Sequence, residues 1–533
     1  MNTRLFAAAS VLALCAGGVQ AETVLHILHT NDLHSRIEPI NQYDSTCDQD
    51  TRAKGECFGG VARVAHKINE LRDQIRADGG HVIVLDAGDQ YQGSLFYTTY
   101  KGKDVAEFMT AIGYDAMAIG NHEFDDGPEG LLTLIDGVDF PVLSSNIDVS
   151  QSNILAGKVS KHTVIDLGDT KVGIVSALAM DTPETASPGP NVIFQDDIDS
   201  LRAAVQDLTD QGVTKIIALT HTGYLRDQDF AAQVPGLDAV VGGHSHSLLG
   251  DMEGAVGAYP TMVAGADGRD VPVVQAYAYS KYLGHLTLTF DDAGHVTAAS
   301  GQPILLDNSI PEDETIAARV VEMSAPIEEL RQTVVATANA PIDGDRANCR
   351  ARECEMGNLV ADAMLDRVRE QGIQIAIQNG GGLRASIDAG EVTMGEVYTV
   401  LPFQNTLATF MLPGADVIAA LENGASRYDE GAGRFAQVAG LQYTIDPAAE
   451  SGARISDVRV MKDGEWTDLD PAATYGVVSN NYMRQGGDGY GVFAQNGTQA
   501  YDFGPDLAEV LADYLAAQAQ GYTPELDGRI TVR

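Results

Sequence analysis

Basic residues are scarce in this chain: 34 Lys and Arg stand against 75 Asp and Glu, a formal net charge of −41. That deficit excludes a nucleic-acid polymer or an anionic membrane surface as a main partner, because both would be repelled. The acids are dispersed and form no long run, so they read as a solubilising surface. Cysteine is sparse too, five in 533 residues, and no CxxC pair is present, which argues against structural zinc. Apolar runs of membrane-spanning length are missing. The stretch Leu5 to Val19 follows Arg4 and leads into the small-residue sequence Val19-Gln20-Ala21. It falls short of the roughly 20 residues that cross a bilayer and has the shape of a secretory signal cleaved after Ala21. Internal repeats and low-complexity segments are absent as well.

Beyond the signal, Cys47, Cys57, Cys349 and Cys354 form an even set in an exported chain and imply two disulfides. Three pairings are open; the local ones, Cys47 with Cys57 and Cys349 with Cys354, close short loops and need no contact between domains. A length of 533 residues exceeds what one core serves, so two domains are expected. From Thr23 to about Leu306, strand-like runs alternate with helical patterns such as Val61, Val64, Ile68, Leu71 and Ile75, the mark of an α/β domain. Lys161 to Leu178 reads as a hairpin turning at Gly168-Asp169. The charged stretch Pro311–Val335, with Ile316, Val320, Ile327, Leu330 and Val334 on one apolar face, predicts a helix. The division expected is 1–21 signal, 22–306 first domain, 307–335 connecting helix and 336–533 a second domain mixing helices and strands.

Five polar motifs follow five of the strand-like runs: TNDLH from Thr30, GDQ from Gly88, GNHEFD from Gly120, THTG from Thr220 and GGHSHS from Gly242. Asp, His and Asn in that combination suit borderline-hard divalent metals, and loops at strand ends are where such sheets hold ligands. Of the 12 His, five lie in these motifs. A bridging carboxylate, for which Asp89 is the candidate, sets two cations about 3.5–4 Å apart, where together they polarise a phosphoryl oxygen and activate water. Asp32 and His34, at i and i+2 on extended chain, point the same way and chelate one ion. His244 and His246 share that spacing, and Asn121 and His221 complete the set. His26 and His29 precede the first motif inside a strand and read as core.

In this order the motifs resemble the calcineurin-like metallophosphoesterases, and more nearly the secreted 5′-nucleotidase family. The resemblance implies an N-terminal calcineurin-like α/β/β/α sandwich, a linker helix and a C-terminal α/β nucleotide-binding domain. It also implies two divalent ions, zinc or manganese. Asp32, His34, Asp89 and His246 hold the first, and Asp89, Asn121, His221 and His244 the second. The last position of the first set, often Asn or Gln in these relatives, is His246 here. His122 and Asp125 correspond to the family's catalytic pair, a cationic imidazole beside the phosphate and a carboxylate that holds its ring. At i and i+3 the two meet on one helical turn, with an N-cap role for Asp125 as the alternative.

CRARECEMGNLVADAM from Cys349, NGGGLR from Asn379, LPFQNTL from Leu401 and NNYMRQGGDGY from Asn480 resemble the nucleotide-binding domain of the same family. By that resemblance Phe403 and Tyr482 sandwich the base, Asn379 contacts it, Asp488 binds the ribose hydroxyls, and Arg350 and Arg384 meet the phosphate. Both local disulfides are implied with them. The reaction implied is hydrolysis of nucleoside 5′-monophosphates in the periplasm or outside the cell. Nucleotide-sugar and 2′,3′-cyclic nucleotide hydrolysis are the alternatives, and a non-catalytic secreted nucleotide-binding protein is the rival from another class.

Overall fold

The strand Thr23–Thr30 pairs in parallel with His81–Asp86, which leads through Ala116–Ala118 to Val142–Leu143. On its other side the antiparallel hairpin Tyr282–Phe290 and Val296–Leu305 completes a six-stranded sheet. This computed structural model describes residues 22–533 apart from Tyr43, Ser45, Asp48, Gln404, Asp463, Asp502 and Phe503; the signal expected at 1–21 lies outside the described residues. A second six-stranded sheet runs, in spatial order, Thr261–Ala264, Asp270–Val274, Ala239–Gly242, Ile216–His221, Lys171–Leu178 and His162–Asp166. Its last two strands are the predicted hairpin.

Central strands of both sheets are covered on both faces, which is why they appear in the sequence as continuous apolar runs. Leu25, Ile27, Ile83 and Leu85 from one sheet meet Ile174, Ile217, Leu219 and Val241 from the other, all at most 1% exposed. The helix Val61–Ala77 buries Val61, Val64 and Ile68 against the outer face of the first sheet, and Asp197–Asp210 buries Leu201, Val205 and Leu208 against the second. Each such side chain stabilises the fold by about 1.5–3 kcal/mol. The result is an α/β/β/α sandwich.

The helix read over Pro311–Val335 spans Glu314–Arg331, its first turn held by Asp313, whose Oδ1 accepts the Thr315 and Ile316 amides at 3.0 Å. Ile316, Val320 and Ile327 are buried on the first half of the molecule; the Leu330 side chain lies outside the described residues. Val334 departs from the expected helical face. It opens the strand Val334–Ala338, which pairs with Gly390–Thr393, and is 49% exposed. A Val-Val-Ala-Thr run suits extended chain better than a last helical turn.

The second half carries a five-stranded mixed sheet in the order Ala436–Ala439, Ile375–Asn379, Thr474–Asn480, Leu407–Pro413 and Thr498–Tyr501. Alternation sorts its side chains: Ala376 and Val478 face the helices Glu355–Val368 and Leu507–Ala516, whereas Ile375, Ile377 and Val477 face Gly414–Ala425. A four-stranded sheet built on Leu441–Ile445 extends this second core. Disulfides link Cys47 to Cys57 and Cys349 to Cys354.

Candidate active site and metal centre

Three motifs leave the ends of Thr23–Thr30, His81–Asp86 and Ala116–Ala118 in the first sheet, and two leave Ile216–His221 and Ala239–Gly242 in the second. They converge on one edge of the sandwich. Backbone bonds knit the loops: the Asp32 amide donates to Gly88 O at 2.9 Å, and the His34 amide to Asp89 O at 3.0 Å. The extended chain expected at Asp32-x-His34 does not form. Asp32, His34, Asp89, His244 and His246 all adopt left-handed backbone, with φ between 50° and 75°. For side-chain-bearing residues such conformations cost about 1–3 kcal/mol each and persist only where surrounding contacts impose them. One consequence is that His244 and His246 part company.

His246 joins Asp32 and His34, whose ligand atoms lie within 4.8 Å of one another, while His244 joins Asp89 and His221 at the same spacing. His246 Nε2 lies 3.2 Å from Asp32 Oδ1. Between the two groups stand His34, Asp89 and His122 as a third close trio. Asn121 Oδ1 is 2.9 Å from His244 Nδ1 and so belongs beside the second group. Partners behind the rings orient them: His221 Nδ1 meets Ala87 O at 2.7 Å and His34 Nδ1 meets Tyr91 O at 3.2 Å, turning each Nε2 inward. The buried His221 Nε2 lies 3.1 Å from Asp89 Oδ2 and 4.0 Å from Asp32 Oδ1. A buried, convergent set of imidazole nitrogens and carboxylate and amide oxygens fits divalent cations.

Burial pushes His34, His244 and His246 below the ordinary imidazole range, His244 to about 3, so these rings are neutral and have a lone pair to lend. Burial also opposes charge on His221 and His122, but neighbouring carboxylates win. Asp89 and Asp32 carry His221 up to about 10, and Asp125 and Asp89 raise His122. The His122 Nδ1 lies 2.7 Å from Asp125 Oδ2 on a short 3-10 turn, and its amide donates to Asp89 Oδ1 at 2.8 Å. Asp126, not Asp125, occupies the N-cap of the following helix Gly127–Gly137.

Arg350, Asn379, Arg384, Phe403, Tyr482 and Asp488 from the second half line the same cavity, of ≈ 1280 Å³, as His34, Asp89, Asn121, His122, Asp125, His244 and His246. Asp32 and His221 lie just beneath its wall, fully buried. Asp488, left-handed in its glycine-flanked turn, accepts from Asn379 Nδ2 at 2.6 Å and from the Tyr482 hydroxyl at 3.4 Å. Phe403 lies between the His122 ring and the Arg384 guanidinium, each 5.6 Å away. Arg384 Nη2 in turn reaches His34 Nε2 at 3.0 Å. Burial, with Arg346 and Arg384 beside it, pushes the Arg350 guanidinium well below its usual value.

Residues 25–248 match the family model for calcineurin-like phosphoesterase, and residues 334–495 match that for the 5′-nucleotidase C-terminal domain. The 5′-nucleotidase of Bos taurus is 39% identical over 528 residues, covering 95% of this chain and 90% of its own. The chain belongs to the 5′-nucleotidase family. The Homo sapiens 5′-nucleotidase is 38% identical, covering 99% of this chain and 93% of its own. The crystal structure of a 5′-nucleotidase precursor from Thermus thermophilus superposes with a TM-score of 0.90 at 40% identity, over 96% of this chain and 99% of that one. As a 5′-nucleotidase family member the chain is a metal-dependent hydrolase of phosphoric esters, and its residue clusters are of the kind that can hold the metal.

Two features of this 5′-nucleotidase site escape the motif reading. Glu123 sits in plain view inside GNHEFD, yet its role is architectural. Its buried carboxylate accepts the amides of Asp89 (3.0 Å), Gln90 (2.9 Å), Tyr91 (3.2 Å) and Gly120 (2.7 Å), tying two ligand-bearing loops together. A Cβ at Gly120 would stand 2.3 Å from the Asp89 nitrogen, so the loops approach this closely only with glycine there. Arg346, Asp181 and Arg427 also line the cavity, and no local pattern marks them.

Proposed function

We propose that the chain is an exported 5′-nucleotidase that hydrolyses nucleoside 5′-monophosphates to nucleoside and phosphate. The observation that carries this reading is the single cavity shared by the metal-type cluster and the aromatic, acidic and arginine residues of the second half. The names of the relatives agree with it. In this reading residues 22–306 form the phosphoesterase domain, 307–335 the connection and 336–533 the nucleotide-binding domain. The N-terminal signal and the two disulfides support export to the periplasm or beyond.

Two divalent ions, zinc or manganese, supply Lewis acidity toward the phosphoryl oxygens and the water nucleophile when bound. Asp32, His34, Asp89 and His246 hold one, and Asp89, Asn121, His221 and His244 the other. Phe403 and Tyr482 sandwich the base, a contact of about 1–3 kcal/mol that tolerates different bases. Asn379 contacts the base and also fixes Asp488, which accepts from the ribose hydroxyls. Arg350 and Arg384 bind the phosphate. His122, kept cationic by Asp125, donates toward the phosphoryl group as negative charge develops. Displacement is in line: as the bond from water oxygen to phosphorus forms, the bond to O5′ breaks, O5′ keeps the electron pair and takes up a proton, and the attacking water gives one up.

Purified protein is expected to release phosphate from AMP, to stop after chelation and to resume when zinc or manganese is restored. Tight AMP binding by metal-reconstituted protein without phosphate release would instead identify a nucleotide scavenger and sink the proposal.

A further inference from the structure

An arginine is costly to bury alone, because its guanidinium stays charged away from water and carries five N–H donors. Where this chain buries one away from the large cavity, partners usually follow. Arg63 donates to the Gly59 carbonyl at 3.0 Å and the Ile310 carbonyl at 3.2 Å and pairs with Glu312; Arg454 donates to the Ala425 and Ala449 carbonyls and pairs with Asp429. Arg36 differs. It is among the largest fully buried side chains, and only its Nε is engaged, donating to the Asp44 carbonyl at 3.1 Å. Among the described residues neither Nη1 nor Nη2 has a hydrogen-bond partner, and no carboxylate stands within ion-pairing distance. The Tyr279 ring lies 5.1 Å from the guanidinium carbon. Of the charged neighbours, Arg384 repels it, while Asp44 gives its carboxylate to the Tyr277 hydroxyl at 2.7 Å and to Lys281 Nζ at 2.9 Å.

This unmatched charge adjoins a small cavity of its own, of ≈ 10 Å³, about the least that holds one water-sized particle and too little for a phosphate. Three parts of the fold meet on it. Arg36, Glu38 and Phe96 come from the first half, Arg331 ends the connecting helix Glu314–Arg331, and Gly395 and Thr399 belong to the helix Met394–Val400 of the second half. The charged groups on its wall are Arg36, Arg331 and Glu38. Arg331 and Glu38 satisfy each other at 2.7 Å, which leaves the charge of Arg36 in excess. Hydroxyls at the wall are committed to carbonyls, Ser94 Oγ to Ser35 at 2.6 Å and Thr399 Oγ1 to Gly395 at 2.7 Å. A neutral occupant satisfies the Nη donors and leaves the charge; a small anion satisfies both.

We propose that Arg36 binds a small monovalent anion of the halide class, such as chloride, in the cavity where the first half, the connecting helix and the second half meet. This site is separate from the large cavity, whose wall does not include Arg36, and it does not depend on what that cavity hydrolyses. The anion neutralises a cation buried two residues from His34, under the loop that carries the first group of ligands. Its wall is complete only when both halves are in place. The site therefore belongs to the folded chain, has no counterpart in the unfolded one, and adds stability by mass action.

Crystals of the wild-type chain in sodium bromide read the site directly, because bromide scatters anomalously and water does not. An anomalous peak within hydrogen-bonding reach of Arg36 Nη1 and Nη2 is expected; ordinary water there, without bromide, overturns the proposal. Unfolding in solution gives a second reading. A chain of net charge −41 gains stability from any salt by screening, so sodium chloride and sodium gluconate are compared at one ionic strength. Chloride is expected to raise the folding equilibrium constant saturably, about tenfold when present at ten times its Kd. R36Q is expected to lose that dependence, and R36K, which keeps a charge but not the planar fork, to retain part of it. General differences between the two salts act on every variant alike and cancel in the comparison. An equal chloride effect in R36Q overturns the assignment to Arg36. A bromide peak with no chloride effect on the wild type in solution marks an adventitious ion only and overturns the proposal too. Should R36Q fail to fold, the bromide peak and the wild-type chloride titration decide between them.

Discussion

Asp89 stands at the centre of the ligand cluster: its carboxylate lies 3.1 Å from His221 Nε2 and accepts the His122 amide, between the two groups of convergent ligands. Asp89→Asn keeps the shape and removes the charge. We expect it to lower turnover of nucleotides and simple aryl phosphates alike by about 10²–10³-fold or more; a loss confined to nucleotides would refute the bridging role. Asp488→Ala should divide the substrates instead, raising KM for AMP about tenfold while sparing a small aryl phosphate that has no ribose. Asp104 gives a pH test remote from the chemistry. Burial raises its pKa to about 6. The native state therefore holds this proton more tightly than an unfolded Asp near pKa about 3.9 does, and stability is lost as pH rises from about 4 to 6. Asp104→Asn should flatten that slope and add about 1–2 kcal/mol at pH 7.5, since the first-turn helix-dipole benefit it forfeits is only about 0.3–1 kcal/mol. Urea unfolding at a series of pH values reads this directly; an undiminished slope would refute it.

At the scale of elements, the apolar strands were legible because burial on both faces leaves a continuous signature, and the helix Val61–Ala77 because burial on one face leaves a periodic one. The turns after the strands were not. Residues such as Asp32 and His34 have left-handed backbone imposed by bonds to the Gly88 and Asp89 carbonyls of another loop, which no local propensity contains. The segment Cys349–Cys354 shows how a small element can serve binding. Its crosslink spans a sequence separation of 5 and immobilises the loop that bears Arg350. Replacing both cysteines with serine should lower unfolding free energy by about 2 kcal/mol, the short-loop value. The same change should raise KM for nucleotides several-fold, with little effect on aryl phosphate turnover; equal effects on both substrates would show that the crosslink does not act through Arg350.

At the scale of the whole molecule, the cavity exists only while the two halves stay together. Asn41 Nδ2 donates to Asp388 Oδ2 at 2.9 Å, Arg331 pairs with Glu38 at 2.7 Å, and Arg427 pairs with Asp181 beside the turn that carries Asp488. The two ion pairs are partly exposed and contribute little singly, about 0–1 kcal/mol. A chain held by them should open when nucleotide is absent and close when it binds. Arg427→Ala is expected to widen the molecule in solution scattering without nucleotide and to raise KM for AMP up to about fivefold, saturating AMP restoring the compact form. Identical scattering with and without nucleotide in both proteins would exclude the hinge.

The available chemistry is already present along the chain: five motifs after buried runs, supplying the His, Asp and Asn of a metal-type site, together with the second-half motifs that border it. Those features are local, since apolar pattern places a strand and the residues just beyond it become a loop at its end. The left-handed turns that send His244 and His246 to different groups, the grip of Glu123 on two loops, and the approach of Arg346 to His244 arise only in the folded molecule. Contacts such as that of Arg384 with His34 join residues 350 positions apart. Packing of whole elements sets those distances, so they leave no mark on the short stretches of chain that a sequence reading weighs.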